Sequence, residues 1–208
     1  GEAVFVALIL MLGLVSIMGA YLALLGYVQA RLLPASGALR WLVGLPSCWL
    51  LLEWWRGWFL SGFPWLSLGY AHIDSPLAAF APVAGVYAIS LICALNAGAL
   101  VTLLLGGRQV RSWATLVLVL PWLVSWPLWQ REWTQVSDAP VQVAVVQASV
   151  AQTKKWSPEW RDKTLALYRQ LAEPHFGTPL IVWPEAALPD VAHELIEYLN
   201  ALWSDAHA

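Results

Sequence analysis

Two groups of residues in this chain have the type and spacing to do chemistry. The first lies within Leu180-Ile181-Val182-Trp183-Pro184-Glu185-Ala186-Ala187-Leu188-Pro189-Asp190. Leu180 to Trp183 is a short apolar run that predicts a buried strand, and Pro184 stops it. Glu185 then falls just past the strand's end, where α/β sheets present reactive groups. A carboxylate flanked by Trp183 and Ala186 can lose water and gain pKa, which suits a general base near neutral pH. The competing reading is a solvated loop glutamate, since glutamate is mostly exposed. The second group is Glu53 and Arg56, spaced i,i+3, so that one helix face can carry both as an ion pair. Ionisable groups within an apolar span are costly and mark a functional site. Interfacial snorkelling beside Trp54, Trp55 and Trp58 is the alternative. The segment after them, Gly57 to Leu66, is aromatic, bent and short of charge. It reads either as an interfacial belt or as a lipid-facing lip.

The elements that must position these groups differ sharply between the two halves of the chain. Of its 208 residues 60% are hydrophobic and 12% charged, and 15 are Trp. Soluble domains carry about 25% charged residues. Residues 1–130 hold five Arg, no Lys and three acids, Glu2, Glu53 and Asp74, whereas residues 131–208 hold six basic and ten acidic residues. The first stretch reads as a membrane domain and the second as a slightly acidic soluble one. No basic stripe points to nucleic acid. Cys48 and Cys93 fall inside apolar segments and read as small buried hydrophobes. His72, His175, His193 and His207 are scattered without helical pairing, so neither a metal site nor a cofactor is expected. The chain opens at Gly1 almost directly into an apolar span, without a charged leader or cleavage site. It therefore reads as an interior piece of a longer protein.

Four spans are expected, over about 4–28, 39–60, 77–105 and 113–129. Each is close to the length that crosses a bilayer core of about 30 Å. Glu53 and Arg56 interrupt the second, the third is rich in Ala and Gly that allow close helix packing, and Pro121 and Pro127 lie in the fourth. Arg31 and Arg40 share the first loop, Arg108 and Arg111 the third, and the loop from 61 to 76 has no Lys or Arg. By the positive-inside rule the first and third loops face the cytoplasm. The soluble half then faces the other side.

Residues 131–140 form a polar linker ending in Pro140. Val141 to Ala148 is β-branched and partly alternating, which predicts a strand. Ser157-Pro158-Glu159 is a helix start, with Ser at the N-cap, Pro at N1 and an acid in the first turn. That helix runs through Leu165, Leu167, Tyr168 and Leu171 and ends before Pro174. The strand Leu180–Trp183 follows, then a helix near Ala192–Trp203. The order β-α-β-α reads as the opening of an α/β sandwich. About 70 residues are too few to bury a full core of that kind alone.

At these residues the chain resembles a family. Val141–Gln147, Lys155-Trp156 and Ile181-Val182-Trp183-Pro184-Glu185 are similar to the start of a nitrilase-type, carbon–nitrogen hydrolase domain, an α-β-β-α sandwich. Preceded by spans carrying Glu53-Trp54-Trp55-Arg56-Gly57 and Gly62-Phe63-Pro64-Trp65, they resemble the apolipoprotein N-acyltransferase family. The resemblance implies a Glu-Lys-Cys triad in the bacterial inner membrane, with the soluble domain on the periplasmic side. The triad cysteine takes an acyl chain from a phospholipid as a thioester and passes it to the amino group of a diacylglyceryl-cysteine apolipoprotein. By that resemblance Glu185 is the general base, Trp156 walls the acyl or head-group pocket, and the loop with Phe63, Pro64 and Trp65 helps admit lipid. The thiolate is the nucleophile, so the base must first remove the thiol proton.

The family's lysine and cysteine lie downstream of the Trp-Pro-Glu motif. Lys154, Lys155 and Lys163 precede it, and Cys48 and Cys93 lie in spans. The chain by itself is therefore expected to be inactive. Two other readings stay open. One is a membrane-tethered amidase using the same triad on a small amide. The other is a transporter or scaffold with Glu53 and Arg56 lining a pathway, which calls for further intramembrane charges that the other spans do not offer.

Overall fold

A chain with so few charges can satisfy its backbone in lipid only by closing it into helices. The computed structural model describes residues 2–136 and 139–206 and divides into two compact units at residue 134. Ser137 and Asp138 of the expected linker, and His207, lie outside the described residues.

In the first unit, α1 is Glu2–Leu32. Its apolar side chains are exposed almost throughout, Phe5, Leu10 and Leu12 among them. That is the surface a helix presents when its solvent is lipid. Among the described residues three helical stretches are long and apolar enough to cross a membrane: Ala3–Leu32, Pro76–Leu105 and Arg108–Trp129. The expected span over 39–60 is not among them. There the chain makes a π-helical turn, Arg40–Gly44, then α2, Leu45–Arg56. The reasons are local. Pro46 opens α2, Glu53 and Arg56 dilute its apolar character, and after Gly57 the backbone turns left-handed at Leu60 (φ 52°) and Gly62 (φ 80°). Gly62 can take no side chain, because a Cβ would overlap the Gly57 carbonyl oxygen.

The third expected span is two pieces. A 3-10 turn, Pro76–Phe80, leads into α3, Ala81–Leu105, which breaks at Ala84 and at Gly85 (φ 65°). α4, Arg108–Trp129, starts five residues before the expected 113 and carries Pro121 and Pro127 inside it. Leu77, Ile89 and Ile92 form the buried core, with Phe80 and Cys93 against it. Cys48 and Cys93 are free thiols, half-buried rather than fully enclosed. The π-helical turn packs on α3 at Gly98, where a Cβ would overlap the Trp41 carbonyl oxygen.

The loops sort to two ends. Ser36–Ala38 and Leu105–Val110 line one cleft of about 500 Å³, so the first and third loops share an end of the unit. Asp74–Pro76 and Trp122, Ser125, Trp126 and Gln130 line another, of about 360 Å³. Arg40 closes the first loop by donating to the carbonyl of Pro34 (2.6 Å), the carbonyl of Gln29 (3.4 Å) and the Gln29 side chain. Arg111 closes the third by donating from Nε to the Gly106 carbonyl (3.1 Å).

The second unit holds β1 (Val143–Val145), α5 (Gln152–Lys155), α6 (Pro158–Ala172), β2 (Leu180–Val182) and α7 (Ile196–Ala206). β1 and β2 pair in parallel, with Val143 opposite Leu180 and Val145 opposite Val182. The Val146 amide adds a bond to the Val182 carbonyl (2.9 Å). Both strands are shorter than the apolar runs that predict them. Val146, Tyr168, Ala172 and Ala187 form the core, flanked by Phe176, Ile181 and Trp183. Ser157 occupies the N-cap of α6 with Pro158 at N1, yet its side chain makes no capping bond. The last helix begins at Ile196 rather than 192, because Ala192–Glu194 forms a 3-10 turn.

The small-residue contact at Gly98 gives a direct test. Gly98→Ala should lower the melting temperature of the chain in detergent, since backbone must move to admit the methyl group. Gly19→Ala, where a Cβ meets nothing within 4 Å, should leave it unchanged or raise it, by about 0.5–1 kcal/mol of helix propensity. Equal shifts for both substitutions would show that the contact is not tight.

Candidate functional site

At the carboxyl end of each strand of the second unit the chain turns through left-handed backbone, at Ser149 (φ 51°) after β1 and at Ala186 (φ 54°) after β2. Each costs about 1–2 kcal/mol for a residue with a Cβ. Between them lies a cavity of about 160 Å³, lined by Gln147, Ser149, Lys155, Thr164, Tyr168 and the two neighbours of Glu185, Pro184 and Ala186. Glu185 itself is exposed. The turn Pro184–Ala187, closed by the Ala187 amide on the Pro184 carbonyl (3.2 Å), puts it at the rim. The dry setting that its apolar neighbours suggest is therefore not supplied by the residues beside it.

Two contacts hold this shoulder. Lys155 donates from Nζ to the Glu185 main-chain carbonyl (3.1 Å), fixing the backbone that carries the carboxylate. Tyr168 packs its ring on Trp183, centroids 5.1 Å apart, from beneath the strand. The sequence places Lys155 in the Lys155-Trp156 resemblance and Tyr168 on a helix, and assigns neither a role at the site. Lys155, which precedes the motif and so is not expected to be the triad lysine, lines the cavity, whereas its neighbour Trp156 is 62% exposed and does not. The signal for Lys155 is its position between β1 and α6, on the connection that leaves the carboxyl end of a parallel strand pair. The hydroxyl of Thr164, also on the lining, is buried without a partner.

Beyond the shoulder, Arg161 of α6 donates to the Asp190 carboxylate, and Asp190 accepts the Val191 amide (2.8 Å). The Arg161 guanidinium, then the Val191 amide, hold the Asp190 carboxyl below its usual range. Asp190 raises the Arg161 guanidinium in turn. This pair ties down the segment that leaves Glu185.

In the first unit Glu53 is 5% exposed, which excludes snorkelling. Its Oε1 accepts the Leu68 amide (2.7 Å) and Trp49 Nε1 (3.3 Å), with Arg56 Nη2 at 4.0 Å. The expected ion pair exists, but it is the longest of the three contacts. Arg56 reaches on to Ser67 Oγ (3.5 Å), and Ser67 donates to the Pro64 carbonyl (2.9 Å). The Gly69 amide donates to Ser90 Oγ (2.8 Å). The segment between is apolar and outward: Leu60, Pro64, Trp65 and Leu66 are exposed, while Phe63 is half-buried. Phe63 packs on Trp65 at 5.1 Å between centroids.

The depressed Asp190 carboxyl has a sign. A carboxyl whose folded pKa lies below its unfolded value adds stability above the ordinary carboxylate range and loses it as pH falls through the folded value. Asp190→Asn should therefore weaken exchange protection of the Val191 amide at pH 7 and make it indifferent to acid below about pH 4. Protection unchanged by the substitution at pH 7 would remove Asp190 from the shoulder.

Residues 1–100 match the family model described as the apolipoprotein N-acyltransferase N-terminal domain. The chain is 36% identical over 197 residues to the apolipoprotein N-acyltransferase of Vibrio cholerae serotype O1, covering 94% of this chain and 38% of that protein. It is 37% identical over 205 residues to that of Pseudomonas syringae pv. tomato, covering 97% and 40%. With that of Coxiella burnetii it shares 37% identity over 172 residues, covering 82% and 36%. The chain thus spans about two fifths of the length of the curated relatives it matches. Over nearly its whole length the chain is similar to apolipoprotein N-acyltransferases, and its residues 1–100 match the model of that family's N-terminal domain.

Proposed function

We propose that this chain is the membrane part and the opening of the soluble domain of an apolipoprotein N-acyltransferase. The observation that carries this reading is the likeness to enzymes of that name across both units. Under it, 39–60 is a fourth membrane segment, made of the π-helical turn and α2, and 141–208 begins a nitrilase-like sandwich.

Glu185 is the general base in this reading. It takes the proton of a cysteine thiol that lies outside these residues. The thiolate attacks the ester carbonyl of a phospholipid, a thioester forms, and the lysophospholipid alcohol leaves. The amino group of a diacylglyceryl-cysteine apolipoprotein then attacks the thioester, an amide forms, and the thiol is regenerated. The chain's own residues contribute placement. Lys155 and the Tyr168–Trp183 stack hold the strand end from which Glu185 projects. Its present exposure means that the drying a base needs comes from elements other than its sequence neighbours. Trp156, equally exposed, is available to wall an acyl or head-group pocket, and Phe63, Pro64 and Trp65 to admit lipid.

A chimera in which residues 1–208 replace the part of the Vibrio cholerae relative that they match tests the base. The parent chimera should form acyl-thioester and transfer it. With Glu185→Gln, thioester formation should fall by at least two to three orders of magnitude, the range for removing a general base. Normal acyl-enzyme in that variant would sink the assignment.

Orientation follows from the arginines. Arg31, Arg40, Arg108 and Arg111 flank the first and third loops, which share one end of the first unit, and the positive-inside rule puts that end in the cytoplasm of a bacterial inner membrane. The soluble unit then faces the periplasm. A cysteine at Ser157, whose side chain caps nothing, should react with an impermeant thiol reagent in intact cells once Cys48 and Cys93 are replaced. Labelling only after lysis would reverse the orientation.

A further inference from the structure

Glu53 and Arg56 do not make the contact that a structural ion pair would make. Their shortest approach is 4.0 Å, with side chains 3% and 13% exposed. Glu53 Oε2 and Arg56 Nε are both buried and have no partner. Burying a carboxylate on these terms is expensive, and a 4.0 Å pair is a weak return for it. The short bond at Glu53 is the one to the Leu68 amide, 2.7 Å and fifteen residues away.

Leu68 is the first residue of a 3-10 helix, Leu68–His72. Its amide and that of Gly69 are donors with no partner inside the helix. Glu53 takes one and Ser90 the other. Gly69 is also pressed onto α3, where a Cβ would overlap the Val86 carbonyl oxygen. At the other end of the segment, the Phe63 amide donates to the Arg56 carbonyl (2.9 Å). Two residues take unfavourable backbone conformations: Leu60 (φ 52°), within the turn that this bond closes, and Leu66 (φ 65°), between it and Leu68. Non-glycine residues keep such conformations only where the surroundings over-determine them. The result is an exposed apolar tip, Leu60, Trp65 and Leu66 at 71%, 64% and 77% exposure, standing on a rigid base.

We propose that Glu53 is a positioning residue that holds this lip, through the Leu68 amide, in the form that receives the acyl chain of a phospholipid donor. The proposal rests on the acyltransferase reading above, under which lipid must leave the bilayer to be used. A charged acceptor is suited to the task because bonds to charged groups are shorter and stronger than neutral ones. In lipid an amide that loses it has no water to turn to.

The chimera tests the link to lipid, and the chain itself tests the bond. Glu53→Ala should raise KM for phospholipid on the order of tenfold, the worth of one charge-assisted hydrogen bond, with kcat within about twofold. Glu53→Gln, which keeps the acceptor oxygen, should restore most of it. Trp65→Ala should raise KM alike, and the double variant should be no worse than Trp65→Ala, because both act through one lip. Additive effects, or a glutamine variant as poor as alanine, overturn the proposal. In detergent-solubilised chain, Glu53→Ala should speed hydrogen exchange at Leu68 and Gly69, and unchanged protection overturns the proposal whether or not the chimera is active. Faster exchange with KM unchanged severs the cap from lipid use and also overturns it. An inactive parent chimera, by contrast, counts against the acyltransferase reading.

Discussion

A backbone amide or carbonyl that leaves a helix beside lipid must find its partner within the protein. The first unit meets this constraint with very few polar side chains, and those it has are spent mainly on backbone. Glu53 and Ser90 take the amides of Leu68 and Gly69. Ser67 donates to Pro64, Thr102 to Gly98, Thr115 to Arg111 and Ser125 to Trp122. The helices need little help, because their bonds are internal. Thr102, Thr115 and Ser125 bond back within α3 and α4, whereas Glu53, Ser67 and Ser90 serve the irregular stretch from Trp58 to Ile73.

That constraint also explains what could be read from sequence. α1, α3 and α4 are long apolar windows, and hydropathy alone outlines them. α2 is not, because its role is to end. Its last turn presents Glu53 and Arg56 to a loop that folds back on it, so a window centred there mixes helix, turn and lip. The pairing of Glu53 with Arg56 follows from i,i+3 spacing. The stronger contact with the Leu68 amide does not, since no periodicity connects residues fifteen apart across an irregular segment.

In the second unit the strand-end position of Glu185 is legible from the apolar run and the proline. Its exposure is not, because burial depends on elements distant in sequence. Lys155 and Trp156 make the same point. The tryptophan attracts notice by its type, yet the lysine is the one whose side chain reaches Glu185, through the main chain. A residue that acts on a neighbour's backbone leaves no signature in its own identity. The two left-handed turns at Ser149 and Ala186 are equally silent, since neither is a glycine.

The five basic residues of the first 130 are all arginine. Charge alone does not demand this, because lysine would mark a cytoplasmic loop as well. Arg40 spreads its two terminal nitrogens over the Pro34 and Gln29 carbonyls and the Gln29 side chain. Arg111 uses Nε, and Arg56 spans Glu53 and Ser67. A single ammonium on a flexible stem cannot serve a planar fork of acceptors in the same way. In the orientation proposed above, the charge at Arg40 and Arg111 that the positive-inside rule reads and the clasp that shapes the finished loop are one group. A lysine there would keep the charge and leave the loop unlatched.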